Sequence, residues 1–385
     1  MTGVGVVSVC GTGVDDFWSG LSGPAEPERI RSVEGWDPLV WMSSTQARHT
    51  DRFAQFALAA ADLAVADSGL DLTSVDPQMC GVQIGTGIGG VASFEDTVRV
   101  LDSRGPGRVS PYTAPLIMPN AGSASVSIRL GWQGPAETIT TACAAGTHSI
   151  AAGARMLAMG MCDVVLAGGA DASLRGTTVA GFTNAGAMSR SGISRPFDAR
   201  RDGFVASEGA GLLMLEPLDA ALARGARIYC LIEGAASNAD AFDMTAPSPG
   251  GRGALACMRR ALADAGLQPS DVTHVNAHGT STSLNDAAEA TAIAGLLEGR
   301  RVPVTSIKGI TGHALGAAGA VEAAAVALSY AHRALPPTVG FEQPDADTAA
   351  IDVVTAVQPW EPGVALSNSF GFGGHNGTLV FAPAP

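Results

Sequence analysis

Lysine is all but missing from this chain. Of 23 basic residues, Lys308 is the sole lysine and the rest are arginine. Charge of any kind is scarce, 15% of 385 residues, and 36 acidic side chains outweigh the basic ones to leave a net charge of −13. A broad phosphate-neutralising surface is therefore excluded, and nucleic-acid binding as the main activity with it. No uninterrupted apolar run reaches membrane-spanning length, and no basic flank precedes an apolar core at the amino terminus. The expectation is a cytoplasmic protein with neither membrane nor nucleic acid as partner. C-x-x-C is absent as well. The six cysteines (Cys10, Cys80, Cys143, Cys162, Cys230, Cys257) have no metal spacing with the seven histidines, which predicts free thiols, most of them small buried residues. The 49 glycines and 22 prolines follow no period and form no tract, so fibrous and disordered readings fail.

What is present is apolar, 46% of the chain, enough for a large core. Short β-branched runs alternate with Ala/Leu-rich stretches, which predicts an α/β architecture. Strands are expected at Gly81–Gly85, Asp163–Leu166 and Leu212–Leu215, with helices over Asp51–Ala66 (Asp51 at its start) and Ile150–Gly160. The second part repeats this order. Helices are expected at Ala254–Ala265, Ala287–Leu297 and Ala317–Ala331. Strands near Val272–Asn276 and Val302–Ser306 lead to a closing pair around Ile351–Val357 and Val364–Val380. The pattern predicts a duplication, with halves 1–235 and 236–385 and a seam near Ala235–Ala241.

Three clusters can carry chemistry. Cys143 stands in Thr140-Thr141-Ala142-Cys143-Ala144-Ala145-Gly146, a β-branched lead-in followed by small residues and an Ala-rich helix. That layout predicts a thiol at a sharp turn, near helix N–H groups that can stabilise a thiolate and an acyl oxygen. Taken alone, it could equally be an ordinary buried cysteine. His278 and His313 each sit among glycines after a predicted strand, where α/β folds present ligand-binding residues. Lys308 lies five positions before His313, and because a compact ammonium is not interchangeable with a guanidinium, the sole lysine is itself a candidate. His49, His148, His274 and His332 lack such settings and are expected to be structural or exposed. The third cluster, Asn368-Ser369-Phe370-Gly371-Phe372-Gly373-Gly374, predicts a tight loop with aromatic walls. A P-loop is absent, and although Gly85-Thr86-Gly87-Ile88-Gly89-Gly90 satisfies G-x-G-x-x-G, no second strand ending in an acidic residue follows, so a nucleotide site is rejected.

Together these motifs, with Arg195-Pro196-Phe197-Asp198 and Arg201-Asp202-Gly203-Phe204, resemble the elongating β-ketoacyl-[acyl-carrier-protein] synthases of the thiolase-fold condensing enzymes over nearly the whole chain. The resemblance implies a thiolase-like fold, duplicated α/β halves layered α-β-α-β-α. It implies that Cys143 takes an acyl chain as a thioester and that His278 and His313 support decarboxylation of malonyl-carrier protein. Lys308, paired with Glu289, would fix His protonation and geometry. The N–H groups of Cys143 and Phe372 would form an oxyanion hole. Phe372 would gate acyl entry beside Phe370, Phe204 would line the malonyl side, and Thr280 and Thr282 would meet the phosphopantetheine arm. No cofactor and no catalytic metal are implied, while Asn276, Glu322 and Asn368 match positions where relatives can hold a structural cation. The partners implied are acyl carrier protein and a second subunit, as homodimer or as heterodimer with a related ketosynthase-like chain. Arg48 and Arg52 occupy the region where relatives dock their acidic carrier protein, although either could be a structural ion-pair residue. A catalytically silent, chain-length-determining partner is the alternative from another class, disfavoured by the intact Cys, His and Lys set. A CoA-dependent thiolase is weakened because no cysteine follows Cys257. Three departures from the family stand out: a start so late that the first strand is expected to be missing, a short Gly20–Ser44 region and a short Ser189–Ser194 loop.

Overall fold

The computed structural model describes residues 1–24 and 27–385; Ala25 and Glu26, in the short Gly20–Ser44 region, lie outside them. Two six-stranded sheets organise the chain. The first runs, in spatial order, Gly11–Thr12, Gly3–Ser8, Gly209–Leu215, Val164–Asp171, Cys80–Gly85, Ala136–Glu137. The second runs Leu231–Ala239, His375–Ala382, Val364–Gly371, Val272–Asn276, Pro303–Thr305, Asp352–Val353. In each, the half's first long strand pairs antiparallel with its last, the last pairs antiparallel with the preceding long strand, and parallel strands continue from there; the first sheet adds Gly11–Thr12 as an antiparallel edge. This shared pairing order is the duplication.

Helices Ala145–Ala158 and Ala318–His332 touch each other between the sheets, while Arg52–Ser68 covers the outer face of the first sheet and Arg252–Asp264 that of the second. The layers are thus α-β-α-β-α. Small residues permit the central packing. A Cβ on Gly146 would lie 2.9 Å from the Ala320 nitrogen, and the whole Ala318–Tyr330 stretch is buried. Buried on every side along that stretch, helix Ala318–His332 shows no amphipathic stripe.

The first strand, expected to be missing, is present: Gly3–Val7 pairs residue by residue with Met214–Ala210. Its glycines let the covering helix approach, since a Cβ on Gly5 would meet the Ala60 carbonyl at 1.9 Å. Asp51 caps that helix, its side chain accepting from the Phe53 N–H. The expected closing pair is also different. Only Asp352–Val353 of Ile351–Val357 is strand, and Val364–Val380 divides into Val364–Gly371 and His375–Ala382 around a glycine turn. Gly373 and Gly374, with φ of 82° and 71°, supply the left-handed backbone that this reversal requires. The expected seam at Ala235–Ala241 overlaps the end of the strand Leu231–Ala239, which pairs within the second sheet.

Candidate active site

The lead-in to Cys143 is less regular than expected: strand ends at Glu137, and Thr138–Thr141 reaches the turn outside any strand. Ala142 then adopts φ 51°, a conformation that costs an L-residue about 1–2 kcal/mol. The reversal places Cys143 in a short 3₁₀ turn running directly into helix Ala145–Ala158. His148, expected to be merely structural, braces this turn. Its Nδ1 is 2.8 Å from the Thr141 hydroxyl and its Nε2 is 3.1 Å from the Asn376 carbonyl.

Three reactive atoms converge there from distant parts of the sequence. The ligand atoms of Cys143, His278 and His313 all lie within 4.8 Å of one another. His313 Nε2 is 3.1 Å from Cys143 Sγ, and the two imidazoles meet edge to face at 5.4 Å. Backbone N–H groups of Phe372 and of Cys143 itself are directed at the sulfur. Burial nonetheless dominates and pushes the thiol up to about 11, against the pull of the Lys308 charge and those N–H groups. Both histidines are held well below their ordinary range by burial first and by the Lys308 charge second. The resting site therefore presents a thiol beside two neutral imidazoles.

Lys308 lies behind them, fully buried, its ammonium 2.6 Å from the His278 carbonyl and 3.4 Å from His278 Nδ1. Its carboxylate partner is Glu322, not the expected Glu289. Glu289 does different work, its two oxygens each accepting a backbone N–H at 2.8 Å, from His278 and from Gly279. The physical reason is geometric: helix Ser283–Leu297 brings Glu289 beneath the backbone of the His278 turn, while helix Ala318–His332 carries Glu322 to the ammonium. Burial pushes each of these carboxyls up to about 7.

A cavity of about 320 Å³ opens over this cluster. Phe204, Phe370, Phe372, Thr280 and Thr282 all line it, together with Cys143, His278 and His313. Phe204 packs edge-on against His313 at 5.2 Å, and Phe370 lies 6.1 Å from His278. The two threonine hydroxyls are 2.9 Å apart. Phe182, which the sequence reading did not single out, completes an aromatic wall at 5.4 Å from Phe204 and 6.2 Å from Phe372. Asp171 was also missed. Buried, it accepts N–H groups from Gly87 at 2.8 Å and Gly316 at 3.3 Å, tying the loop of each half to one carboxylate. The G-x-G-x-x-G stretch thus serves close packing, because a Cβ on Gly316 would lie 2.1 Å from the Gly87 nitrogen. The short Ser189–Ser194 loop is tied to Asp202, a cavity residue, by the Ser189 hydroxyl at 2.6 Å.

Such an arrangement can accept an acyl group on sulfur, hold its oxygen with two N–H groups, and offer two neutral imidazoles to a second substrate's developing oxyanion. Models of the beta-ketoacyl synthase family match the chain in both halves, the N-terminal domain over residues 24–221 and the C-terminal domain over 229–342. The chain belongs to the beta-ketoacyl synthase family. Among curated members it is 40% identical to the 3-oxoacyl-[acyl-carrier-protein] synthase 2 of Synechocystis sp., covering 99% of this chain and 97% of the relative. It is 38% identical to the enzyme of the same name from Staphylococcus aureus, covering 99% of this chain and 100% of that one. Among solved structures, the ishigamide ketosynthase/chain length factor superposes with a TM-score of 0.93 at 32% identity over 100% of this chain and 98% of that one. A type II polyketide synthase ketosynthase solved with its acyl-carrier protein gives 0.90 at 30%, with 100% and 98% covered. No helix among the described residues is long and apolar enough to cross a membrane.

Arg52, expected in a carrier-docking patch, is committed elsewhere. Its guanidinium binds both oxygens of buried Glu208, at 2.6 and 2.9 Å, and lies over the Phe56 ring. Arg48 remains exposed, 3.4 Å from Thr45.

Proposed function

We propose that this ketosynthase-family protein is a β-ketoacyl-[acyl-carrier-protein] synthase that joins an acyl group to malonyl-carrier protein in cytoplasmic fatty-acid or polyketide biosynthesis. The observation that carries the reading is the convergence of Cys143, His278 and His313 under one aromatic-walled cavity. In the first half-reaction the Cys143 sulfur attacks the acyl thioester carbonyl. Its proton leaves toward His313, the bond to the carrier's phosphopantetheine sulfur breaks, and the carrier departs as free thiol. In the second, the C–CO₂⁻ bond of malonyl-carrier protein breaks, CO₂ leaves, and the electron pair forms an enolate whose oxygen accepts hydrogen bonds from His278 and His313. The enolate carbon attacks the Cys143 thioester, the tetrahedral oxygen rests on the N–H groups of Cys143 and Phe372, and collapse returns the sulfur.

Lys308 and Glu289 are positioning residues in this scheme. Lys308 fixes the His278 carbonyl and ring, and Glu289 fixes the turn on which that ring stands. Thr280 and Thr282 lie where a phosphopantetheine arm would pass. The exposed apolar residues Phe94, Val98 and Leu101, spaced along one face of a helix, support assembly with a second copy or a related subunit.

The test is reconstitution with acyl- and malonyl-carrier protein, reading CO₂ release and the 3-ketoacyl product. Stoichiometric CO₂ and ketoacyl product are expected. CO₂ and product that both fail to appear, after Cys143 has been acylated, would overturn the condensing role.

A further inference from the structure

A second cavity lies behind the Lys308–Glu322 pair and shares no wall residue with the first. It measures about 10 Å³ and is bounded by Ser8, Glu208, Thr311, Ala318, Val321 and Glu322. Glu322 gives Oε1 to Lys308, while its other oxygen, Oε2, is buried without a hydrogen-bond partner. A carboxylate oxygen only accepts, so it is satisfied either by a hydrogen donor or by a cation. The side chains of these walls supply no such donor. Ala318 and Val321 are apolar, and Glu208 accepts from the Val33 N–H and from Arg52. The Ser8 hydroxyl donates to the Gly11 carbonyl, and that of Thr311 to the Ile307 and Gly312 carbonyls. A volume of this size holds about one water, a neutral molecule with two hydrogens for two carboxylates.

We propose that this cavity binds a single water molecule that donates one hydrogen to Glu322 Oε2 and the other to Glu208. Glu208 and Arg52 are then positioning residues for Lys308. The chain of contacts runs from the half-exposed Arg52 through buried Glu208 and the water to Glu322, Lys308 and the His278 carbonyl. It holds the ammonium from behind with no group entering the substrate cavity. The water rests on the geometry of the small cavity alone; its kinetic consequence rests on the condensing reading above.

High-resolution crystallography of the whole protein, with and without rubidium in the soak, tests the site directly. An ordered peak within hydrogen-bond distance of Glu322 Oε2 and Glu208, without anomalous rubidium signal, is expected. A dry cavity, or a rubidium peak, overturns it. Ala318→Val fills the cavity, and Ala318→Ser leaves it nearly open. With Ala318→Val, kcat for malonyl-carrier-protein decarboxylation is expected to fall about tenfold or more. KM and the acylation of Cys143 should stay unchanged, and Ala318→Ser should behave as the parent. Equal kcat in all three proteins, or a fall in acylation as large as that in decarboxylation, overturns the positioning role. Failure of Ala318→Val to fold leaves the crystallographic result to decide. A parent protein that acylates Cys143 but releases no CO₂ would instead sink the condensing reading, with the water still open to direct observation.

Discussion

The ammonium of Lys308 lies 2.6 Å from the carbonyl oxygen of His278, 30 residues earlier in the chain, and 3.4 Å from that histidine's Nδ1. A buried cation so placed repels a proton from the imidazole, and the Glu322 carboxylate keeps the cation itself tolerable. Removing one partner strands the other as an unpaired buried charge. Lys308→Met or Glu322→Leu alone is therefore expected to cost about 3–5 kcal/mol. The double substitution should recover most of that stability while condensation stays lost. Denaturant titration beside a malonyl-decarboxylation assay checks both; a double variant that condenses at the parental rate would remove Lys308 from the mechanism.

Glu289 offers a different separation. Because burial raises its carboxyl to about 7 in the folded protein, against about 4.3 when unfolded, the protonated form is favoured by folding. Its contribution to stability is full below about pH 4 and is lost as pH rises to about 7. Glu289→Gln should flatten that part of the stability curve. It should also slow decarboxylation about 10- to 100-fold, since the amide NH2 replaces one accepting oxygen and faces a backbone N–H, donor against donor, and leave Cys143 acylation intact. Thermal unfolding from pH 5 to 8 reads the first effect, single-turnover kinetics the second.

Gly371 stands against the nucleophile turn. A Cβ there would lie 3.0 Å from the Cys143 nitrogen and 3.0 Å from the Thr141 carbonyl. Gly371→Ala is expected to displace one of the two N–H groups directed at the sulfur and to slow acyl transfer by about 10²-fold, with a change in melting temperature of only a few degrees. Unchanged acyl transfer would show that these N–H groups do not form the oxyanion hole.

Much of this site was legible in the sequence because its residues carry short local signatures. Cys143 amid alanines, His278 and His313 amid glycines and a solitary lysine all stand out before folding. The α/β class was legible from the alternation of strand and helix, and the five-layer arrangement only from the resemblance. What stayed hidden depends on approach between distant elements. Glu322 reaches Lys308 from the middle of a helix buried all round, where nothing marks one carboxylate as a partner. Asp171 ends a strand and shows its role only once Gly87 and Gly316 meet over it. For Arg52, docking and a structural ion pair stood equally open because Glu208, 156 positions away, gives no local sign that it will claim the guanidinium. The first strand was doubted on chain position alone, where the pairing of Gly3–Val7 was decided by a strand two hundred residues on.

The most direct test of the central claim is intact mass after incubation with a panel of acyl-carrier proteins, for the unaltered protein and for Cys143→Ala. The unaltered chain is expected to gain the mass of one acyl group, removable by hydroxylamine, and Cys143→Ala to gain none. An equal adduct on Cys143→Ala, or no adduct on the unaltered protein with any acyl donor, would contradict the assignment of Cys143 as nucleophile.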